Sequence, residues 1–220
     1  MPPNLNFKAV IFDLDGTLLD TLAEIADSMN GALDRLGFPV HDLSAYRYLT
    51  GDGVLALITN SLPCEARDEG TIRLAGEILR EEYLGHWAKK AKLYEGIPEL
   101  LEALTRRGVS LNILSNKMDE FTQKAAGQFL GRWTFDHVLG DSPRFQRKPD
   151  PAAALHIADE LNLTPAAIVY LGDTRTDMTT AVAAGMFPVG ALWGFRDKDE
   201  LLAGGAGAVI AHPLDLLFYF

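Results

Sequence analysis

Lys8-Ala9-Val10-Ile11-Phe12-Asp13-Leu14-Asp15-Gly16-Thr17-Leu18 is the stretch whose reading decides the fold. The apolar run up to Phe12 has the composition of a central parallel strand, buried on both faces. It stops on two carboxylates one residue apart, and Gly16 and Thr17 turn the chain away. In an open parallel sheet, ligands bind in the crevice beyond the carboxyl ends of the strands, so acids placed there suit a metal or a phosphate. Alone, the string reads equally well as a loop, because Asp and Gly are ordinary turn formers.

Working outward, the pattern recurs. An apolar run at 109–114 ends on Ser115, Asn116 and Lys117, and another at 166–171 ends on Gly172 and Asp173, with Asp177 four residues on. A short strand is expected near 135–139, followed by a polar stretch at 142–150 that carries Arg144, Arg147 and Lys148. Helices are expected at 97–107 with Gly108 as a stop, at 118–130, and at 151–161 with Pro151 in the first turn. Beyond Asp177 the chain reads as a helix around 181–185, a strand at 188–192 and a weak edge strand at 208–210.

Residues 19–92 differ. Leu22, Ile25, Ala26, Met29, Leu33 and Leu36 recur at helical spacing up to Gly37. Further helices are expected at 44–49, from Val54 after the break Thr50-Gly51-Asp52-Gly53, and across 65–90. No convincing strand interrupts them. The fold class is therefore α/β, a Rossmann-like parallel sheet flanked by helices and built from residues 1–18 and 93–220, with an inserted small helical domain at 19–92.

Composition narrows the function. The chain has 220 residues, 48% of them hydrophobic and 23% charged, enough for a substantial core. A formal net charge of −10 argues against nucleic acid as a partner, because phosphate backbones are held by clustered Lys and Arg. The first six residues lack a basic, apolar leader, and no run approaches the length of a membrane span, so a cytoplasmic protein with no membrane partner is expected. Cys64 is the single cysteine; it rules out an intrachain disulfide and is expected to be a small buried residue. The apolar C-terminal segment 214–220 is expected to pack on the core, with a dimer contact as the other reading; a monomer and a homodimer both remain open.

Three strand ends thus bring Asp13, Ser115 and Asp173 to one edge of a parallel sheet, where the Lys148 loop can join them. Carboxylates crowded together repel unless a cation neutralises them. Oxygen donors without histidine or cysteine suit Mg²⁺. The five histidines are scattered without metal-ligand spacing, and no nucleotide-type phosphate loop occurs.

The strings Asp13-Leu14-Asp15-Gly16-Thr17, Ile113-Leu114-Ser115-Asn116-Lys117, Arg147-Lys148-Pro149-Asp150-Pro151 and Gly172-Asp173-Thr174-Arg175-Thr176-Asp177 stand in the order of the four motifs of the haloacid dehalogenase superfamily. Within it the chain most resembles phosphoglycolate phosphatases. The resemblance implies that Asp13 is a nucleophile forming an aspartyl-phosphate and that Asp15 is the general acid and base. It places Ser115 and the backbone of Asn116 on the phosphoryl oxygens and Lys148 on both phosphate and nucleophile. Asp13, the Asp15 backbone carbonyl and Asp173 would ligate Mg²⁺, with Asp177 holding a metal-bound water or orienting Lys148.

It also implies that Asp13, beside Mg²⁺ and a lysine, is held ionised while Asp15, away from the metal, can carry a proton near neutral pH. The insert would be a cap over the site, touching substrate through Gly51 and Asp52, unless that segment is merely a helix–helix turn. Arg47, Asn116, Lys117 and Arg175 are further candidates for substrate binding. The expected partner is a small phosphorylated metabolite, phosphoglycolate first. A phosphosugar mutase shares every core residue, and a metabolite-binding protein without catalysis or a receiver-type signalling module stands further off.

Overall fold

The computed structural model describes residues 7–220; residues 1–6, read above as lacking an export leader, lie outside the described residues. Six parallel strands form the main sheet in the order β5-β4-β1-β6-β7-β8. They are β1 (Ala9–Phe12), β4 (Ser110–Met118), β5 (His137–Asp141), β6 (Ile168–Gly172), β7 (Phe187–Ala191) and β8 (Ala208–Ile210). The order reverses at β1, which lies between β4 and β6. The crevice of an α/β sheet opens at such a reversal, so the end of β1 is the position the topology reserves for a ligand.

Alternation explains why β1 is apolar throughout. Val10 and Phe12 face one core with Leu100, Leu101 and Leu104 of helix α5 (Ile97–Arg106), while Ala9 and Ile11 face a second core with Ala154 and Ile157 of α7 (Ala152–Glu160) and Ala181 of α8 (Arg175–Ala184). β6 divides likewise, Val169 and Leu171 on one side and Ile168 and Tyr170 on the other. A strand covered on both faces has no polar position to give up until it leaves the sheet. Asp13 is the first residue that does so, its amide donating to the Leu171 carbonyl at 2.9 Å.

Helices α1 (Leu22–Arg35), α2 (Leu43–Leu49), α3 (Val54–Ser61) and α4 (Glu69–His86) pack around a third core that includes Met29, Leu33, Tyr46, Ile58 and Leu79. The chain enters and leaves this helical unit through two-residue strands, β2 (Leu19–Asp20) and β3 (Lys92–Leu93), which pair antiparallel. Such a pair is too short to signal itself in sequence, and 19–92 read as strand-free.

Other boundaries also differ from the sequence reading. α4 starts at Glu69 rather than near 65, because Pro63 opens a 3₁₀ turn at Cys64–Ala66 and Asp68 caps the helix by accepting from the Thr71 amide at 3.0 Å. β4 does not end at Leu114; it runs through Ser115-Asn116-Lys117 to Met118, with a register shift against β5. α8 starts at Arg175, earlier than the apolar pattern shows, since Thr174 and Asp177 form a capping box.

Cys64 is exposed, against the expectation of burial, because it sits on that 3₁₀ turn rather than on a core face. The C-terminal segment folds as a 3₁₀ helix, Pro213–Tyr219, with Leu216 buried in the main core, Tyr219 and Phe220 against Phe7, and Phe218 87% exposed. Among the described residues no helix is long and apolar enough to cross a membrane.

Candidate active site

At the carboxyl edge of the sheet, β1 delivers Asp13, β6 delivers Asp173, and the first turn of α8 delivers Asp177; all three are buried. One oxygen from each lies within 4.8 Å of the others. The Lys148 ammonium enters from the loop before α7 and donates to Asp13 Oδ1 at 2.8 Å, Asp177 Oδ1 at 2.7 Å and the Leu114 carbonyl at 3.1 Å. Three carboxylates and one ammonium leave two formal negative charges without a partner from the chain. The donor set is hard oxygen with no histidine or cysteine, and it suits a divalent cation.

The protein's own charges set the titration. Burial, then the neighbouring Asp177 charge, push Asp13 from 3.8 up to about 7, against the pull of Lys148. Burial with Asp13 and Asp177 likewise holds Asp173 well above the carboxylate range. Burial works against the Lys148 charge, but Asp13 and Asp177 raise its pKa well above the ordinary value and keep it protonated. The expectation that Asp13 is held ionised placed Mg²⁺ beside it as well as a lysine; Lys148 alone does not offset burial and the Asp177 charge. One lysine shared between two acids cannot balance three.

Of the two readings of Asp177, the geometry shows the contact with Lys148. Its Oδ1 holds Lys148, and its Oδ2 accepts from the Thr174 amide at 3.0 Å and hydroxyl at 2.6 Å, so the helix cap fixes the acid and the acid fixes the lysine. Asp173 is positioned from two sides: the Thr17 hydroxyl donates to Oδ1 at 2.9 Å, and the Phe195 amide donates to Oδ2 at 2.7 Å. Gly194 permits this approach, because a side chain there would strike the Asp173 carboxylate. Neither Gly194 nor Phe195 stood out in sequence, since a backbone amide leaves no residue signature.

The Asn116 side chain also has a duty that spacing did not reveal. It clasps the Lys148 backbone, accepting from its amide at 2.9 Å and donating to its carbonyl at 3.1 Å, and it reaches the Gly51 carbonyl at 3.2 Å. Ser115 is buried beside it, its Oγ accepting from the Lys117 amide at 3.2 Å. Asp15 stands outside the carboxylate cluster, and Lys117 Nζ donates to both of its oxygens at 3.0 Å. Lys117 also lies 4.9 Å from the Tyr83 ring centroid. It is thus paired with an acid while lining the cavity that opens beyond Asp13.

Beyond Asp13 and Ser115 a cavity of about 210 Å³ opens between sheet and helical unit, lined in part by Gly51, Val54, Leu57, Tyr83 and Phe121. Asp52 is not in its wall; it is exposed and accepts from the Thr176 hydroxyl at 2.5 Å, which ties the 50–53 turn to α8. Arg47 is likewise committed elsewhere, donating to the Phe195 and Gly194 carbonyls at 3.0 and 2.9 Å, and Arg175 is exposed at the start of α8, away from the lining residues. Of the side chains proposed to touch substrate from the insert, the structure brings Gly51 to the cavity and not Asp52.

Residues 10–191 match the sequence model of the haloacid dehalogenase-like hydrolases. The chain belongs to that family. A phosphoglycolate phosphatase of Xanthomonas campestris pv. campestris is 32% identical over 213 residues, covering 95% of this chain and 94% of its own. One from Aquifex aeolicus is 31% identical over 210 residues, covering 96% and 95%. The solved structure of a haloacid dehalogenase-like family hydrolase from Streptococcus pneumoniae superposes with a TM-score of 0.87 at 28% identity, over 98% of this chain and 99% of that one. As a haloacid dehalogenase-like hydrolase the chain is an enzyme, similar over nearly its whole length to phosphatases of phosphate monoesters.

Proposed function

We propose that this hydrolase is a Mg²⁺-dependent phosphatase of a small phosphorylated metabolite, acting in the cytoplasm through an aspartyl-phosphate. The observation that carries the reading is the Asp13–Lys148 ion pair at the end of β1, inside the Asp173 and Asp177 cluster and open to a cavity. Phosphoglycolate is the first substrate to test, because the relatives bear that name.

In the first step an Asp13 carboxylate oxygen bonds to phosphorus as the ester P–O bond breaks, and Asp15 gives its proton to the departing oxygen. In the second, Asp15 takes a proton from water, whose oxygen bonds to phosphorus; phosphate leaves and Asp13 is restored. The sum is ester plus water giving alcohol plus inorganic phosphate. Ser115 and the Asn116 backbone hold phosphoryl oxygens, and Lys148 offsets the charge gathered there. When bound by Asp13, Asp173 and the Asp15 carbonyl, with Asp177 behind, Mg²⁺ would screen the phosphate from the attacking carboxylate.

Helices α1–α4, residues 19–92 with their connections, would serve as a cap that excludes water. Asp13→Asn tests the core of the reading. Phosphate release is expected to disappear with the circular dichroism unchanged, and turnover at the wild-type rate sinks the assignment. Product analysis separates a mutase, which returns an isomeric phosphosugar instead of phosphate.

A further inference from the structure

We infer that the leaving group taken by this site is an uncharged alcohol with an apolar, ring-sized body, in preference to a small acid such as glycolate. The inference rests on the phosphatase reading above and concerns the part of the cavity beyond phosphorus. The helical unit lines it with Ile25, Val54, Leu57, Ile58, Leu79 and Tyr83. The sheet side adds Met118 and Phe121, whose ring meets Tyr83 edge-on with centroids 4.7 Å apart.

A substrate carboxylate needs a cation whose charge is not already balanced by an acid of the protein, since an unpaired charge is costly to place against such a wall. Both cations that line the cavity are already matched to acids of the protein. Lys117 gives two of its three N–H groups to the Asp15 oxygens, and Arg80 is paired with Glu120 at 2.7 Å, so each charge has its counter-ion. Outside the lining, Arg47 is turned to backbone carbonyls, and Arg196 donates to the Thr50 carbonyl at 2.8 Å and the Glu200 carboxylate at 3.0 Å, its Nη1 buried without a partner among the described residues.

What the wall does offer is apolar area and one hydroxyl. The Tyr83 hydroxyl is buried with Lys117 beside it and no acceptor for its proton among the described residues, and burial raises its pKa, so it remains a neutral donor. A body with one neutral acceptor would satisfy it. Apolar atoms would meanwhile displace water from the leucine and phenylalanine faces. Sugar hydroxyls would find few partners there, which also weighs against a phosphosugar substrate.

The test compares benzyl phosphate with phosphoglycolate, both esters of primary alcohols, at one pH and one Mg²⁺ concentration. Benzyl phosphate is expected to have a kcat/KM higher by roughly tenfold or more, carried mainly by KM. Val54→Lys, which sets an unpaired ammonium in the wall at a half-buried position, is expected to lower KM for phosphoglycolate and narrow the ratio. Equal or higher kcat/KM for phosphoglycolate with wild type overturns the inference, as does a ratio indifferent to Val54→Lys. Asp13→Asn is assayed alongside with both esters. If it is inactive on both, the phosphatase reading stands whichever ester is preferred; if it stays active, that reading falls and takes the inference with it.

Discussion

Removing the Lys148 ammonium leaves Asp13, Asp173 and Asp177 facing one another with no cationic partner from the chain. Lys148→Met is therefore expected to lower kcat about 100-fold or more. It should also cost roughly 3–5 kcal/mol of stability in urea with chelator present, because breaking a buried pair leaves an uncompensated charge. Activity within a few-fold of wild type would show that the lysine is structural only. Asn116 acts through this lysine by holding its backbone on both sides. Lysine and asparagine stand in motifs that sequence displays, yet their mutual hydrogen bonds do not follow from spacing, since 32 residues separate them along the chain.

At the level of elements, the site depends on how the loop after β7 lies against the ends of β1 and β6. Trp193 donates to the Thr17 carbonyl at 3.0 Å, Thr17 and Phe195 hold Asp173, and Gly194 gives the clearance. Gly194→Ala is expected to push Asp173 aside and weaken Mg²⁺ affinity by about tenfold or more, the usual effect of disturbing groups behind a metal ligand. Titrating activity with Mg²⁺ checks it, and an unchanged midpoint would contradict the assignment of Asp173. Thr174→Ala removes the cap of α8 and one support of Asp177, at about 1 kcal/mol by denaturant melts. Its kcat should fall further than that loss of stability explains. Nothing in an apolar periodicity marks this cap; α8 begins with Arg175-Thr176-Asp177, and its polar start hid the first turn.

For the whole molecule, charge balance couples folding to metal and pH. Asp13 binds its proton more tightly folded, at about 7, than in an unfolded chain near 3.8. The folded form then holds more protons across that interval, so this group's contribution to stability is full below about 4 and is lost as pH rises to about 7. With chelator, the melting temperature is expected to be lower at pH 8 than at pH 6, and saturating Mg²⁺ should raise it more at pH 8, by several degrees. Equal Mg²⁺ shifts at both pH values would argue against the carboxylate cluster as the metal site. The helical unit is fastened to the sheet partly through Arg47, whose two hydrogen bonds reach the Gly194 and Phe195 carbonyls. At about 1 kcal/mol each, their loss in Arg47→Met is expected to favour an open arrangement roughly tenfold or more, raising KM while leaving the Mg²⁺ midpoint in place.

Sequence by itself determined the parallel sheet, the helical insert and the positions of Asp13, Ser115, Lys148, Asp173 and Asp177. β1 and β6 are apolar up to the point where the chain turns to Asp13 and Asp173, so strands that end on acids announce the site. Only tertiary structure decided which partner each group meets. It put Lys117 on Asp15, turned Asp52 and Arg47 away from the cavity, exposed Cys64 and gave the cavity wall its apolar side chains. Those outcomes depend on backbone amides, on the direction of side chains across two packed units, and on charges shared among residues far apart in the chain. Asp13 and Asp15 show the division most plainly. Two residues apart in sequence, they meet different lysines, Lys148 and Lys117, which only the fold brings to them.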